Sequence, residues 1–264
     1  MKILAGIPTR LRSTSGKIAD ILAQAVDEVL IVSQGAQVNS GSSNVVVHEK
    51  DVNFGLVAAR NYILSYAVKN NFDFVVQSDD DLSYTPHIIE YMLKEVWDNP
   101  TLGAIASSSR AYFNWDKDVE CTKNFLLAPC SPQLWVARTS ILEEVGEWTL
   151  EYLEDREHAA RMWKLGYAIG MLHIDISLTH NPFIARTNIS AGGQDKSIAR
   201  KEKLRQAIEY MNKYHSNIVR LKIYEGKSAK RTFSSRYYWN NLLKFPIARF
   251  GYALKYEDSR GRIL

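Results

Sequence analysis

The chain has 264 residues, 46% of them apolar and 23% charged, with a net charge of +4. This composition argues against intrinsic disorder, and no apolar run approaches the ~20 residues that a membrane-spanning helix requires. The opening segment has too short an apolar stretch for a secretory signal. The two cysteines, Cys121 and Cys130, are too few for a disulfide framework, so we expect reduced thiols in a cytoplasmic protein. They also lack the paired spacing of a zinc site.

The predicted elements alternate between strands and helices along the first two thirds of the chain. Strands are predicted at KILAGI, EVLIVS, NVVVHE, FDFVVQ, LGAIAS, QLWVAR and YAIGMLHI, and helices at 17–27, 55–70, from Pro86 onward, after QLWVAR up to Gly146, at 154–164 and at 197–214. This order predicts an α/β fold with a mostly parallel central sheet flanked by helices. Residues 108–133 have no clear period and are predicted to form a loop-rich insertion.

The charge of the chain is concentrated at its C-terminal end. Residues 226–264 carry nine basic and two acidic side chains, a net charge of +7, which leaves −3 for residues 1–225. We therefore divide the chain into a domain at 1–225 and a basic, aromatic-rich extension at 226–264, which is predicted to be helical. A segment of this charge indicates an anionic partner or surface.

Three consecutive aspartates, Asp79, Asp80 and Asp81, follow the buried segment FVVQS. Like charges at this spacing repel one another by roughly 1 kcal/mol per pair even in water. The carboxyl ends of parallel strands are also where ligands bind in such sheets. The triplet is therefore either a solvated acidic turn or a site for a hard divalent cation shared with phosphate oxygens.

Two further segments carry candidate site residues. In NFGLVAARN, Gly55 opens a helix and Arg60 lies within its first two turns, where an anionic group can be received. In LEDREHAARMWKLGY, Glu154 and Asp155 begin a helix, where the helix dipole favours ionised carboxylates. Taken singly, either segment is also consistent with a purely structural helix start.

Together with AGIPTR at the first strand, these segments resemble the nucleotide-sugar glycosyltransferases of the GT-A fold, most closely glycosyltransferase family 2. The resemblance covers roughly residues 3–195. It implies a Rossmann-like GT-A fold, a nucleotide-sugar donor, and an inverting transfer in which Asp155, paired with Glu154, is the general base. It also implies Mn²⁺ or Mg²⁺ held by Asp81 and Asp79, with His180 near the metal or the diphosphate. Donor contacts are implied for Pro8, Thr9, Arg10, Asn53, Gly55, Arg60, Asp79 and Asp80.

The sequence departs from the family pattern at two places. Family members commonly carry an aspartate after the second strand to hold the nucleotide base, whereas this chain offers Ser33 and Gln34. The nucleotide is therefore open, with a UDP-sugar as our expectation. In the first loop, Arg10 and Arg12 are candidates to reach phosphate.

The acceptor is less constrained by the sequence than the donor. The glycine-containing loop at 187–197 is either a mobile lid or a plain surface loop. The basic extension can contact nucleic acid, lie on an anionic membrane, or pack as an ordinary helical extension. The membrane alternative corresponds to a glycosyltransferase that acts on a glycan or lipid-linked acceptor at the membrane surface. GIPTR at the first strand, the long helix predicted after the glycine-containing loop and the basic aromatic end more loosely resemble the phage TET-associated glycosyltransferases. This resemblance implies hydroxymethylated pyrimidines in DNA as acceptor.

Two rival functions remain open at this stage. A nucleotidyltransferase would share the fold, but PTRLRSTSGK is a poor version of its glycine-rich basic loop. A non-catalytic binding module would need no general base, so the Glu154–Asp155 pair counts against it. The oligomeric state is not predicted.

Overall fold

The computed structural model describes residues 1–13, 15–52, 54–100, 102–107, 125–127, 134–151, 154–172, 179–180, 205–207, 209–210, 213–214, 219–224 and 227–233. Its strands are β1 Ile3–Arg10, β2 Glu28–Gln34, β3 Val45–Lys50, β4 Phe74–Ser78, β5 Leu82–Ser83, β6 Leu102–Ser107, β7 Phe125–Leu127, β8 Leu134–Arg138, β9 Ala168–Leu172, β10 Thr179–His180, β11 Val219–Tyr224 and β12 Lys227–Phe233. Its helices are α1 Ser15–Leu22, α2 Leu56–Lys69, α3 Pro86–Asp98, α4 Thr139–Val145 and α5 Glu154–Lys164.

Eight strands form one sheet in the order β3-β2-β1-β4-β8-β6-β9-β7. The four strands β3, β2, β1 and β4 are parallel neighbours, and β6 and β9 form a further parallel pair. Strand β8 lies antiparallel between β4 and β6, and β7 is antiparallel to β9 at the edge. The prediction of a mostly parallel α/β sheet flanked by helices is confirmed.

Each face of the sheet has its own apolar core. Residues of β1 alternate between the two, with Ala5 and Ile7 in the core that includes α1 and α3, and Leu4 in the core that includes α2, α4 and α5. On the second face α2 packs very close to β1, because a Cβ added at Gly6 would lie 2.4 Å from Ile63 Cγ2. The close approach holds the middle of α2 against the middle of β1.

The ends of the elements follow local signals in the sequence. Pro86 opens α3, where its fixed φ suits a first helical turn. Gly146 has a φ of 83° at the end of α4, a conformation that glycine adopts without a Cβ penalty. Among the described residues no helix combines the length and apolar character needed to cross a membrane.

The structure differs from the sequence-based expectations in three places. Pro8, Thr9 and Arg10 belong to β1 rather than to the loop that follows it. The segment predicted as a loop-rich insertion contains β7, which pairs with β9.

The third difference concerns the extension, whose described part is the strand β12 rather than a helix. It pairs with β11 in a separate two-stranded sheet, so the prediction of a helical extension is wrong for Lys227–Phe233. Alternation of apolar and basic residues along Val219–Tyr224 was the missed strand signal. This hairpin also crosses the boundary between 1–225 and 226–264.

Some predictions lie outside the described residues. These include the contact from Asn53, the two cysteines, the loop at 187–197 and the end of the chain after residue 233. Of the helix predicted at 197–214, residues 205–207, 209–210 and 213–214 are described, and all are helical.

Candidate functional site

The carboxyl ends of the parallel strands β1, β2 and β4 meet at one edge of the sheet, beside the first residues of α2. A cleft of about 360 Å³ opens there. It is lined by Pro8, Thr9, Arg10, Arg12, Gln34, Gly55, Leu56, Asp79, Asp80 and Asp81. The location is the one expected for a ligand site in an open α/β sheet.

Asp80 is held by residues of β1 and of the loop after it. Its Oδ2 accepts a hydrogen bond of 2.6 Å from Thr9 Oγ1, and its Oδ1 is paired with Arg12. The same guanidinium lies 3.3 Å from Asp81 Oδ2. The sequence therefore supplies part of the positive charge that the triplet requires, because β1 and β4 are neighbours in the sheet.

Arg60 links the aspartate triplet to the start of α5. Its side chain is only 4% exposed, and its Nη2 lies 3.7 Å from Asp79 Oδ1. Its Nη1 lies 3.6 Å from Glu154 Oε1 and is paired with Asp155. Two acidic groups that are far apart in the sequence thus share one buried cation.

The site carries more negative than positive charge. Five carboxylates (Asp79, Asp80, Asp81, Glu154 and Asp155) pair with two guanidinium groups. Loss of water contact is the main cause that raises the pKa of Asp79 to about 7, and Arg60 opposes this shift. Loss of water also raises the pKa of Asp80, against the hydrogen bond from Thr9 and the charge of Arg12. The cleft therefore favours additional positive charge.

The donor atoms of the cleft fit a hard divalent cation. Carboxylate oxygens are the ligands that Mg²⁺ and Mn²⁺ prefer, and Mg²⁺ is commonly held by one or two carboxylates together with substrate phosphates. Asp79 and Asp81 both line the cleft and can supply such oxygens. Among the described side chains no group of three or more candidate metal ligands occurs.

A buried aromatic cluster supports the first turns of α5. His158 stacks on Trp148 with ring centroids 4.0 Å apart and an angle of 8° between the rings. Its Nε2 lies 3.0 Å from the carbonyl oxygen of Gly146, so this nitrogen carries the proton. Burial is the main cause that lowers the pKa of His158 to about 3, which keeps the imidazole neutral.

A second clamp joins α2 to the same cluster. The amide of Asn61 donates to the carbonyl oxygen of Trp148 at 2.9 Å and accepts from the Trp148 N–H at 2.8 Å. Because Asn61 follows Arg60 directly, the clamp fixes the position from which Arg60 reaches α5. No local sequence pattern marks His158 or Trp148, because their role depends on contacts between distant segments.

Most of the predicted site residues meet in this region. Pro8, Thr9, Arg10 and Gly55 line the cleft with the aspartates. His180 is placed by its backbone, since β10 pairs with β5 and His180 lies opposite Leu82, the residue after Asp81. The roles predicted for these residues stay predictions.

The model of the family described as glycosyl transferase family 2 matches residues 19–166 of this chain. The chain belongs to this family. The match covers α2, the aspartate triplet and both acids of α5, whereas the cleft residues of β1 and the loop after it lie before the matched range. No curated protein sequence matches the chain.

Solved structures agree with the family at the level of the fold. A mannosyltransferase from Pyrobaculum calidifontis, PcManGT, solved in complex with GDP-Man and Mn²⁺, is 15% identical with a TM-score of 0.56, over 94% of this chain and 71% of its own. Residues 1–349 of TarS from S. aureus, in complex with UDP-GlcNAc, are 15% identical with a TM-score of 0.53, over 80% of this chain and 67% of their own. Both similarities show that this family 2 protein has the GT-A glycosyltransferase fold.

Proposed function

We propose that this family 2 protein is a metal-dependent, inverting glycosyltransferase that moves a sugar from a UDP-sugar to an acceptor hydroxyl. The observation that carries the proposal is the contact of one buried cation, Arg60, with Asp79 on one side and with Glu154 and Asp155 on the other. It brings a triplet suited to a donor diphosphate next to a carboxylate suited to a general base.

The donor half of the site is the cleft at the ends of β1, β2 and β4. Asp81 and Asp79 would hold Mn²⁺ or Mg²⁺, with His180 close by through the pairing of β10 with β5. The cation would neutralise charge on the diphosphate when bound. Support for a metal and a nucleotide sugar comes from the related folds solved with GDP-Man and Mn²⁺ and with UDP-GlcNAc.

The acceptor half begins at α5. Asp155 takes the proton of the attacking hydroxyl, and the oxygen forms a new bond to the anomeric carbon. The bond between that carbon and the diphosphate oxygen breaks, and its electron pair leaves with the nucleoside diphosphate. A single displacement of this kind inverts the anomeric configuration.

Arg60 holds the reacting carboxylates in place rather than facing the open cleft. Its side chain is 4% exposed, and it contacts Asp79, which follows β4, and Asp155 of α5. Glu154 shares the guanidinium, so it fixes Asp155 indirectly by completing the ionic cluster. Arg10 and Arg12, which do line the cleft, are the better placed cations for phosphate.

The test separates chemistry from donor binding. We expect Asp155→Asn to abolish sugar transfer while calorimetry still detects the UDP-sugar, because the amide cannot accept the proton. Glu151→Gln is the matched control, since it removes an exposed acid shortly before α5 and should remain active. An Asp155→Asn protein that transfers sugar at the normal rate would remove Asp155 from the base role.

For the acceptor we propose hydroxymethylated pyrimidine in DNA, as in the phage TET-associated glycosyltransferases. Support comes from the charge of +7 on residues 226–264 against −3 on the preceding domain. The experiment incubates the protein with Mn²⁺, nucleotide sugars and hydroxymethylcytosine DNA beside a glycan acceptor. Sugar found by mass spectrometry on the glycan only would rule out DNA as the acceptor. Release of free nucleotide with neither acceptor modified would support the enzyme but not this acceptor, whereas donor binding without any nucleotide release would favour a binding module.

A further inference from the structure

The hairpin formed by β11 and β12 is strongly basic. Its two strands carry five lysines and arginines and no acidic residue. The basic residues are Arg220, Lys222, Lys227, Lys230 and Arg231. Among the described strands, β11 and β12 pair only with each other, so the hairpin is a separate two-stranded ribbon. No residue within either strand neutralises its charge.

The register of the hairpin places most of these charges on one face. Cross-strand partners share a face, and successive residues of a strand alternate between faces. Arg220 lies opposite Thr232, and Lys222 lies opposite Lys230. One face therefore carries two directly opposed lysines with an arginine beside them.

A β-bulge adds a further charge to this face. The pairing continues from Lys222 and Lys230 to Tyr224 and Lys227, so two residues of β12 lie against one residue of β11. Because the extra residue is in β12, Lys227 shares the face of Tyr224 and Lys222. In a regular ladder Lys227 would occupy the opposite face. We call the set Arg220, Lys222, Lys227 and Lys230 the basic face of the hairpin.

The other face is mainly apolar. It takes Val219, Leu221, Ile223 and Phe233, with Arg231 as its charged member. Apolar faces of sheets are stable when they are packed against other apolar surface. The basic face is therefore the one suited to an anionic partner.

The separation of charge from apolar residues favours DNA over a lipid surface as that partner. Directly opposed lysines destabilise a hairpin, and a polyanion that lies across them relieves their repulsion. A two-stranded ribbon also fits the major groove of B-DNA, and six or seven residues extend over about 20 Å. A membrane-bound element would present apolar and basic residues to the lipid together, whereas this hairpin places them on opposite faces.

We propose that the basic face of the β11–β12 hairpin binds the phosphate backbone of duplex DNA. The inference rests on the proposed function, because it names the surface that would hold the DNA acceptor of that reaction. Contacts with phosphates carry no sequence information, so binding is independent of base sequence and of base modification.

The test measures binding of the full chain to an unmodified DNA duplex by fluorescence anisotropy at several salt concentrations, without donor or Mn²⁺. The variant Lys222→Gln/Lys230→Gln removes the opposed charges and their repulsion, so it should not weaken the hairpin. We expect this variant to bind about tenfold more weakly than the wild type. The slope of log affinity against log salt should become less steep by about 2, because two phosphate contacts are lost.

Two control variants separate the hairpin from the overall charge of the chain. Lys17→Gln/Lys69→Gln removes the same charge at exposed positions of α1 and α2 and should leave the slope unchanged. Lys222→Arg/Lys230→Arg keeps the charge of the basic face and should bind like the wild type. Equal weakening by the two glutamine variants, or a loss in the arginine variant, would overturn the role of the hairpin. A wild type that binds vesicles of anionic lipid but not duplex DNA would overturn it as well.

Failure of the hairpin is distinguishable from failure of the proposed function. Transfer of sugar to hydroxymethylcytosine DNA by Lys222→Gln/Lys230→Gln, with wild-type DNA affinity, would leave the proposed function intact and overturn the role of the hairpin. DNA binding that depends on these two lysines, with sugar found on the glycan acceptor only, would support the surface and overturn DNA as the acceptor.

Discussion

We predict that replacing His158 by glutamine flattens the dependence of stability on pH in the acidic range. His158 is 1% exposed, and its pKa is lowered from 6.5 to about 3, chiefly by burial, with Arg161 adding to the shift and Glu157 opposing it. Glutamine can retain an N–H donor for the Gly146 carbonyl oxygen, but it does not titrate. The substitution therefore removes the proton-binding group while it keeps the hydrogen bond.

The sign and size of the effect follow from proton linkage. Below about pH 6.5 His158 is protonated in the unfolded chain but stays neutral in the native state. The free energy of unfolding therefore decreases as the pH falls. The slope approaches about 1.4 kcal/mol per pH unit, and the loss between about pH 7.5 and about pH 4.5 is on the order of 2–3 kcal/mol. The loss continues toward about pH 3, where the native imidazole itself begins to accept a proton.

The assay is chemical denaturation of the wild type and His158→Gln at several pH values between these limits. Loss of the ring stacked on Trp148 should destabilise the variant near neutral pH by about 1 kcal/mol. The difference between the two proteins should then shrink and reverse as the pH falls. Subtracting the curves cancels the opposite contributions of Asp79 and Asp80, whose raised pKa values favour the native state in acid.

His87→Gln is the matched control, because the His87 side chain is 88% exposed. It should follow the wild-type curve at every pH. If His158→Gln also follows that curve in parallel, the imidazole is not the group that links folding to pH, and the account of the buried cluster is wrong.

Three further predictions test the charges and the close packing of the fold. Arg60→Met leaves buried acids without their cation, so thermal denaturation should show a loss of stability of about 3–5 kcal/mol. As a control, Arg205→Met removes an exposed ion pair of 3.8 Å and should lower the stability by less than about 1 kcal/mol. Equal losses for the two variants would contradict a buried ionic cluster. Asp81→Ala should abolish the part of donor affinity that depends on Mn²⁺ in calorimetry, whereas Asp98→Ala should not, and unchanged Mn²⁺ dependence would exclude Asp81 as a ligand. Gly16→Ala places a Cβ 2.0 Å from the Asn39 carbonyl oxygen, whereas a Cβ at Gly41 meets nothing within 4 Å. We expect Gly16→Ala to lower the free energy of unfolding by about 1–3 kcal/mol and Gly41→Ala to leave it unchanged. Equal stabilities of the two variants would refute the contact.

The sequence by itself determined the order of the elements and the position of the acidic triplet. The alternation of strands and helices could be predicted because hydrophobic periodicity and glycine or proline boundaries are local properties of the sequence. The triplet after β4 and the acids that open α5 could also be recognised, since each is defined by the residues beside it. The same local approach failed at Lys227–Phe233, where a strand depends on pairing with β11.

Only the tertiary structure decided which charges meet. Arg12 reaches Asp80 because β1 and β4 are adjacent in the sheet, although 68 positions separate the two residues. Arg60 joins Asp79 to Asp155 because α2 and α5 belong to the same face of that sheet. Such pairings depend on strand order and helix packing, which bring together residues that no local pattern relates. The sequence thus specifies which acidic residues form the site, and the fold determines which arginine each of them contacts.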